Sequence, residues 1–257
     1  MFRKKFDQLV LEVYQDRRAA GHAAGILAAE KLKTILAEKN KASVVFAAAP
    51  SQNETLETLV SVSGIDWNKV TAFHMDEYIG LPDNASERFS FYLKTHIFDK
   101  CSFAAVHLLS GNNPQLLCQE YAQKLVAEPI DLICMGIGEN GHIAFNDPPV
   151  ADFNDPQLVK IVELDLLCRQ QQVHDGCFPN LDAVPKQAVT LTIPALMSGG
   201  CLICTVLGQR KRSALHRMIS GNISTECPAT ILRTHKDCTV FVDQDCYMPA
   251  DDFLVNS

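Results

Sequence analysis

Two stretches of the chain bring acids, amides and a histidine to positions where they could move protons. In residues 131–148, DLICMGIGENGHIAFNDP, the apolar run Leu132, Ile133, Cys134, Met135 ends in Gly136, Gly138 and Gly141, followed by His142, Asn146 and Asp147. The run reads as a short buried strand. Glycines at the carboxyl end of such a strand let backbone N–H groups approach an anionic ligand, and a histidine beside carboxylate and amide groups supplies proton transfer. The bland alternative is a tight turn with a capping Asn and a structural histidine. The second stretch, residues 70–75 (VTAFHM), reads as a strand that delivers Asp76, Glu77 and Tyr78 before Gly80-Leu81-Pro82 turns the chain. Adjacent side chains point different ways, so one of the two acids is expected to face a ligand, as a general base. The alternative is a solvated turn.

Two strand-to-helix junctions could receive phosphate. Residues 43–49 (SVVFAAA) read as a buried strand, and the following PSQNET turns into a helix running through Val62. It offers the hydroxyls of Ser51 and Thr55, the Asn53 amide, and the N–H groups of a helix start, where orphan donors attract anions. Ser51 or Asn53 could equally be a plain helix cap. Residues 200–207 read as another strand, ending at Gly208 and opening a helix over 209–219 in which Lys211 stands at the junction. There a lysine meets a phosphate as a point charge, or is simply a solvated base.

Gly136-x-Gly138-x-x-Gly141 also satisfies a dinucleotide fingerprint, with Glu163 standing about 20 residues on. That motif requires a helix directly after the glycines. Pro148-Pro149 and the turn-rich ADFNDP of residues 151–156 leave no room for one. A nicotinamide cofactor is therefore not expected.

The elements that must hold these residues are legible in outline. Helical signals cover residues 2–15 and 18–38, the second with an apolar stripe of Ala19, Ala23, Ile26, Leu27, Leu32, Ile35 and Leu36. A helix over 86–98, a strand over 106–109 and a Pro-initiated helix over 114–126 follow. Beyond the central glycines, 148–156 is an irregular loop of the kind that lies over a site. Strands are expected over 158–164, 187–193 and 239–242, and a helix over 166–173. Strands alternating with helices, without repeat or linker, predict one α/β domain over 1–257. Its architecture is a three-layer αβα sandwich with a Rossmann-like, mostly parallel sheet.

Composition fits that outline and removes other classes. The chain has 257 residues, 47% of them hydrophobic, enough for a large core. Its 23 basic and 30 acidic residues give net −7, and no basic run exceeds three residues, so nucleic acid and membrane surfaces are not expected partners. The amino terminus lacks a signal-peptide pattern and no stretch reaches the roughly 18 apolar residues of a membrane span, which places the protein in the cytoplasm. The ten cysteines sit mostly singly in apolar runs and read as core thiols. Cys201 and Cys204 would point to opposite faces of one strand, unable to chelate or cross-link.

With TAFHMDEYIGL at 71–81 and GIGENGHIAFNDP at 136–148, the chain resembles the glucosamine-6-phosphate deaminase (isomerase) family, with weaker similarity at LL-S-GN (108–112), VPK (184–186) and VLGQRK (206–211). The resemblance implies a Rossmann-like sheet with its site at the carboxyl edge. It also implies conversion of an aminosugar phosphate to a ketose phosphate plus ammonia, with no metal or organic cofactor, and self-association as a homo-oligomer. Asp76 stands where the family's base moves the C2 proton toward C1, His142 where its ring-opening histidine lies, and Lys211 at its phosphate lysine. Gly136 and Gly138 amides would meet developing charge.

Several positions depart from the pattern. The family's commonest pattern has Asp where this chain has Asn140, and Glu where it has Asp147. Asn cannot accept a proton or hold an imidazolium by charge, which leaves Asp147 to orient His142. The typical glycines and threonines of the phosphate loop are replaced by Ser51-Gln52-Asn53-Glu54-Thr55, so Glu54 is expected to point away from the dianion. The family's phosphate arginine has no clean counterpart, and Arg169 and His174 are the candidates. Two alternatives stand beside the deaminase reading. One is a non-catalytic or differently specific sugar-phosphate binder, motivated by Asn140 and the unusual loop. The other is a 6-phosphogluconolactonase-type hydrolase, from which Asp76-Glu77-Tyr78 and Ala144-Phe145-Asn146 point away.

Overall fold

The computed structural model describes residues 1–247. In chain order it contains β1 (Phe2–Phe6), β2 (Leu9–Tyr14), α1 (Arg17–Lys39), β3 (Ala42–Phe46), α2 (Asn53–Ser61), β4 (Val70–His74), β5 (Asp76–Tyr78) and α3 (Phe89–Leu93). Then come β6 (Ala105–His107), α4 (Pro114–Ala127), β7 (Leu132–Met135), β8 (Val159–Glu163) and α5 (Leu166–His174). The last elements are β9 (Gln187–Leu191), α6 (Ile193–Met197), β10 (Cys201–Val206), α7 (Arg212–Ser220) and β11 (Cys238–Asp243). No helix of the described residues is long and apolar enough to cross a membrane.

Eight strands form one sheet in the order β1-β2-β11-β10-β7-β3-β4-β6, parallel except for the β1–β2 hairpin. Its central strands are buried on both faces, as their continuous apolar runs require. Along β10, Leu202, Cys204 and Val206 enter one core with Tyr121 of α4 and Met218 of α7. Cys201 and Ile203 enter the other with Ala24 and Leu32 of α1 and Leu56 of α2. Helices thus cover both faces, giving the three layers expected. Cys201 and Cys204 fall on opposite faces, and all ten cysteines are free thiols.

Two regions differ from the sequence expectation. Residues 2–15 form a hairpin rather than a helix. Leu9, Leu11 and Val13 are buried while Val10, Glu12 and Tyr14 are only partly so, and β2 pairs in parallel with β11. Six residues fit either period by chance, and the unfilled edge of β11 decides the matter. The second difference is a small antiparallel sheet, β5-β9-β8. Only Met75 separates β5 from β4, too little chain for a crossover, so Asp76-Glu77-Tyr78 cannot return to the main sheet and pairs with β9 instead.

Helix α1 lies close on α2 because it carries glycine at the contact. A Cβ at Gly21 would stand 2.5 Å from Glu54 Cβ, and one at Gly25 2.6 Å from Thr55 O. Asp16 caps α1, accepting from Ala19 N at 2.8 Å. These contacts fix the first turn of α1 against the start of α2.

Candidate active site

Successive parallel strands run outward in opposite directions from the boundary between β3 and β7, the switch point where open α/β sheets bind ligands. A cleft opens there, with an empty volume of about 720 Å³ including its mouth. Segments that follow four strands of the main sheet line it: Ala49 and Ser51 after β3, Asp76 at the start of β5 after β4, Gly136 and Gly138 after β7, and Lys211 after β10. His142 completes the set.

Of the two adjacent acids, Asp76 faces the cleft and Glu77 turns into the protein. Glu77 accepts from the N–H groups of Phe89 (3.1 Å) and Ser90 (2.9 Å) at the start of α3, and lies 3.4 Å from buried Arg88. Asp76 is 6% exposed. Burial, reinforced by the neighbouring Glu77 charge, pushes its carboxyl well above the ordinary carboxylate range. A carboxylate so desolvated is a stronger base than one in water.

The loop from β7 wraps around His142. Gly138 N donates to His142 O at 2.9 Å and Gly141 N to Gly138 O at 3.0 Å, while Glu139 N donates to the Gln171 side chain at 2.8 Å. Those amides are committed within the protein, so the Gly138 N–H is not free to meet charge on a ligand, contrary to the expectation from the glycine pattern. The role of Gly138 is space: an added Cβ there would overlap the His142 ring. Gly138→Ala is therefore expected to shift the imidazole and cut kcat by about 100-fold while the thermal midpoint changes little, a split that steady-state rates and thermal denaturation together would expose.

His142 Nδ1 lies 2.8 Å from Asp147 Oδ1. Asp147 is fully buried and accepts from Asn140 Nδ2 at 2.9 Å and Asp165 N at 3.3 Å. Burial pushes its carboxyl up, but His142, Asn140 and the Asp165 amide together outweigh it and hold the group below its ordinary value. Asn140 serves as a brace rather than an acid, since its Oδ1 also accepts from His142 N at 3.0 Å. Asn146 ties the loop to β9 through Leu191 O at 2.8 Å. The donor atoms of His142, Asp147 and Cys168 all lie within 4.8 Å of one another, a group that could hold a metal ion.

The expected phosphate residues divide. Ser51 and Lys211 line the cleft. Lys211 is 8% exposed, and burial lowers its ammonium pKa against the opposing pull of Asp175 and Glu139. Asn53 accepts from Tyr92 OH at 2.6 Å instead, and Thr55 is fully buried beneath α1. Arg169 is not brought to the cleft: its guanidinium donates to Leu181 O (2.7 Å) and Val184 O (2.9 Å), holding the segment after α5. His174 stands 3.5 Å from Glu139, also outside the cleft lining. Residues 148–156 do not line the cleft either, so among the described residues this loop is no cover for it.

Four lining residues had no chemical signature in the sequence: Arg17, Gln171, Gln172 and Asp175. The glutamines read as ordinary polar positions of a helix. Arg17 follows a strand edge that the sequence pattern had placed in a helix.

The fold and these motifs have close parallels. Residues 15–241 match the family model of glucosamine-6-phosphate isomerases/6-phosphogluconolactonase. The chain is 32% identical over 220 residues to a glucosamine-6-phosphate deaminase of Lactobacillus acidophilus, covering 85% of this chain and 90% of that one. It is 34% identical over 183 residues to a Bacillus cereus protein of the same name, covering 70% and 68%. Among solved structures, a monomeric glucosamine-6-phosphate deaminase superposes with a TM-score of 0.82 at 26% identity, covering 92% of this chain and 98% of that one. A Thermotoga maritima 6-phosphogluconolactonase shares the fold, with a TM-score of 0.75 at 21% identity and coverage of 92% and 100%. The chain belongs to the glucosamine-6-phosphate isomerase/6-phosphogluconolactonase family.

Proposed function

We propose that the protein is an aminosugar-phosphate deaminase/isomerase that converts glucosamine 6-phosphate and water to fructose 6-phosphate and ammonia. The observation that carries this reading is the meeting of a buried carboxylate base, Asp76, with the braced His142–Asp147 pair in one cleft that Ser51 and Lys211 also line. His142 moves the proton between the anomeric hydroxyl and the ring oxygen, opening the ring. Asp76 then removes the C2 proton and returns it at C1, leaving a C2 imine. Water adds to that carbon, the C–N bond breaks, and nitrogen leaves as ammonia. Asp147 keeps the imidazole oriented and balances its charge when protonated. No step requires a redox cofactor.

Coupled detection of ammonia with glucosamine and galactosamine 6-phosphates tests the reading. Ammonia release in step with ketose phosphate formation is the expected result. Hydrolysis of 6-phosphogluconolactone without ammonia release from any aminosugar phosphate would replace it with the lactonase alternative. Stabilisation by sugar phosphates with no turnover would replace it with a binding role.

A further inference from the structure

We propose that Arg17, brought to the cleft by the first turn of α1, is a phosphate-binding residue of this site and a determinant of its preference for phosphorylated sugars, aimed by Glu54. The inference rests on the functional reading above and extends it to an element outside the strand-end loops. Arg17 lines the same cleft as Ser51 and Lys211. Its Nε donates to Glu54 Oε1 at 2.6 Å, and its Nη2 donates to Pro50 O in the loop after β3. A guanidinium carries five N–H groups in a fixed plane. Two are occupied by these anchors, which leaves three without a hydrogen bond to the protein. The side chain is 42% exposed, so they are reachable.

The arrangement is built, because its parts come from two helices locked by close packing. Gly21, one helical turn on from Arg17, has no Cβ to keep Glu54 of α2 away, Gly25 admits Thr55 and Thr58 in the same way, and Asp16 caps the turn that carries Arg17. Glu54 stood out in the sequence as an acid beside an expected dianion. Its charge is taken up by Arg17, so the carboxylate does not confront the phosphate bare.

Arg17 adds directed donors rather than net charge, since its ion pair with Glu54 is neutral overall, and Lys211 supplies the point charge in the same cleft. The other candidates lie outside the cleft lining, Arg169 on the carbonyls of Leu181 and Val184, and His174 beside Glu139. A planar fork also matches two phosphate oxygens at once, which an ammonium cannot.

The test combines calorimetric titration of inorganic phosphate with steady-state kinetics on glucosamine 6-phosphate. It uses the wild type, Arg17→Ala, Arg17→Gln, Arg17→Lys and the exposed neighbour Arg18→Ala. Loss of a charge-assisted, bidentate contact should raise both the phosphate Kd and the substrate KM by about 10- to 100-fold in the Ala and Gln variants. Lys should be intermediate, kcat should change far less than KM, and Arg18→Ala should match the wild type. Arg17→Gln retains a donor for Pro50 O, so it keeps the test meaningful if Arg17→Ala unfolds. Unchanged Kd and KM in the Gln variant would overturn the proposal, as would a fall in kcat alone. Arg17-dependent phosphate binding in a protein that releases no ammonia would sink the deaminase reading and leave the phosphate site standing. Turnover with Arg17-independent binding would do the reverse.

Discussion

Asp76→Asn is expected to lower kcat by about 10²- to 10⁴-fold and, at neutral pH, to raise the thermal midpoint. The first effect follows from removing the group that the proposed mechanism uses to transfer a proton between adjacent carbons. The second follows from its surroundings. Burial first, and the Glu77 charge second, lift the folded-state pKa of Asp76 above its unfolded value. An acid with a raised folded pKa binds its proton more tightly in the native state, so its ionisation costs stability as pH rises from the unfolded value, about 3.9, through the folded one. Asn has no such cost. The gap in midpoint between variant and wild type should therefore vanish in acid and open as pH rises, then level off above the folded pKa. Catalysis runs the other way, because only the ionised form is a base: wild-type kcat/KM should fall as pH drops through a value above the ordinary carboxylate range. A series of thermal melts with matched rate profiles would measure both limbs. A variant that is less stable than wild type at neutral pH, or one that retains turnover, would contradict the assignment. The expected pair of effects would mean that the site trades stability for a strong base, a common cost of activity.

Asp147→Asn is the second large effect, and here activity and stability fall together. Asp147 Oδ1 receives Asn140 Nδ2 at 2.9 Å and faces His142 Nδ1 at 2.8 Å, while Oδ2 receives the Asp165 N–H at 3.3 Å. An Asn side chain must turn its own NH₂ toward one of these donors, leaving buried groups unpaired at a cost of about 1–3 kcal/mol. It also removes the charge that would stabilise a protonated His142, and in a comparable acid–histidine pair that change costs about 10⁴-fold in kcat. The pH signature is opposite to that of Asp76. The folded pKa of Asp147 is depressed, so its contribution is present above the unfolded carboxylate value and is lost as pH falls through the folded one. Wild type and Asp147→Asn should thus converge in stability at strongly acidic pH and diverge toward neutrality. Equal stabilities at neutral pH would show that the three donors are satisfied without the carboxylate.

These two acids behave differently for a reason that no residue count reveals. Each is buried, but Asp147 accepts hydrogen bonds from Asn140 and the Asp165 amide and lies 2.8 Å from His142 Nδ1, whereas Asp76 is held beside another carboxylate. The Asn140 departure takes on a definite meaning in the same way. As Asp it would set a second carboxylate within hydrogen-bond distance of Asp147, and two such groups cannot both ionise cheaply. As Asn it gives one hydrogen bond to Asp147 and takes another from the His142 backbone.

What the amino-acid sequence determined by itself was the parallel sheet, the two motifs at its carboxyl edge, and His142, Ser51 and Lys211 as candidates that the cleft lining includes. Buried parallel strands are continuous apolar runs, and glycine, acid and histidine at their ends are local signals that survive without tertiary information. Only the tertiary structure decided which of Asp76 and Glu77 faces the cleft, because that depends on β5 pairing with β9 and on α3 needing a cap for its first N–H groups. It alone turned residues 2–15 into a hairpin, through the open edge of β11. It alone took Asn53, Thr55 and Arg169 out of the cleft, by supplying Tyr92 OH, the close approach of α1, and the carbonyls of Leu181 and Val184. And it alone brought Arg17 to the Pro50 loop from more than 30 residues away in sequence. Side chains compete for partners across the whole fold, and sequence spacing records only the nearest competitors.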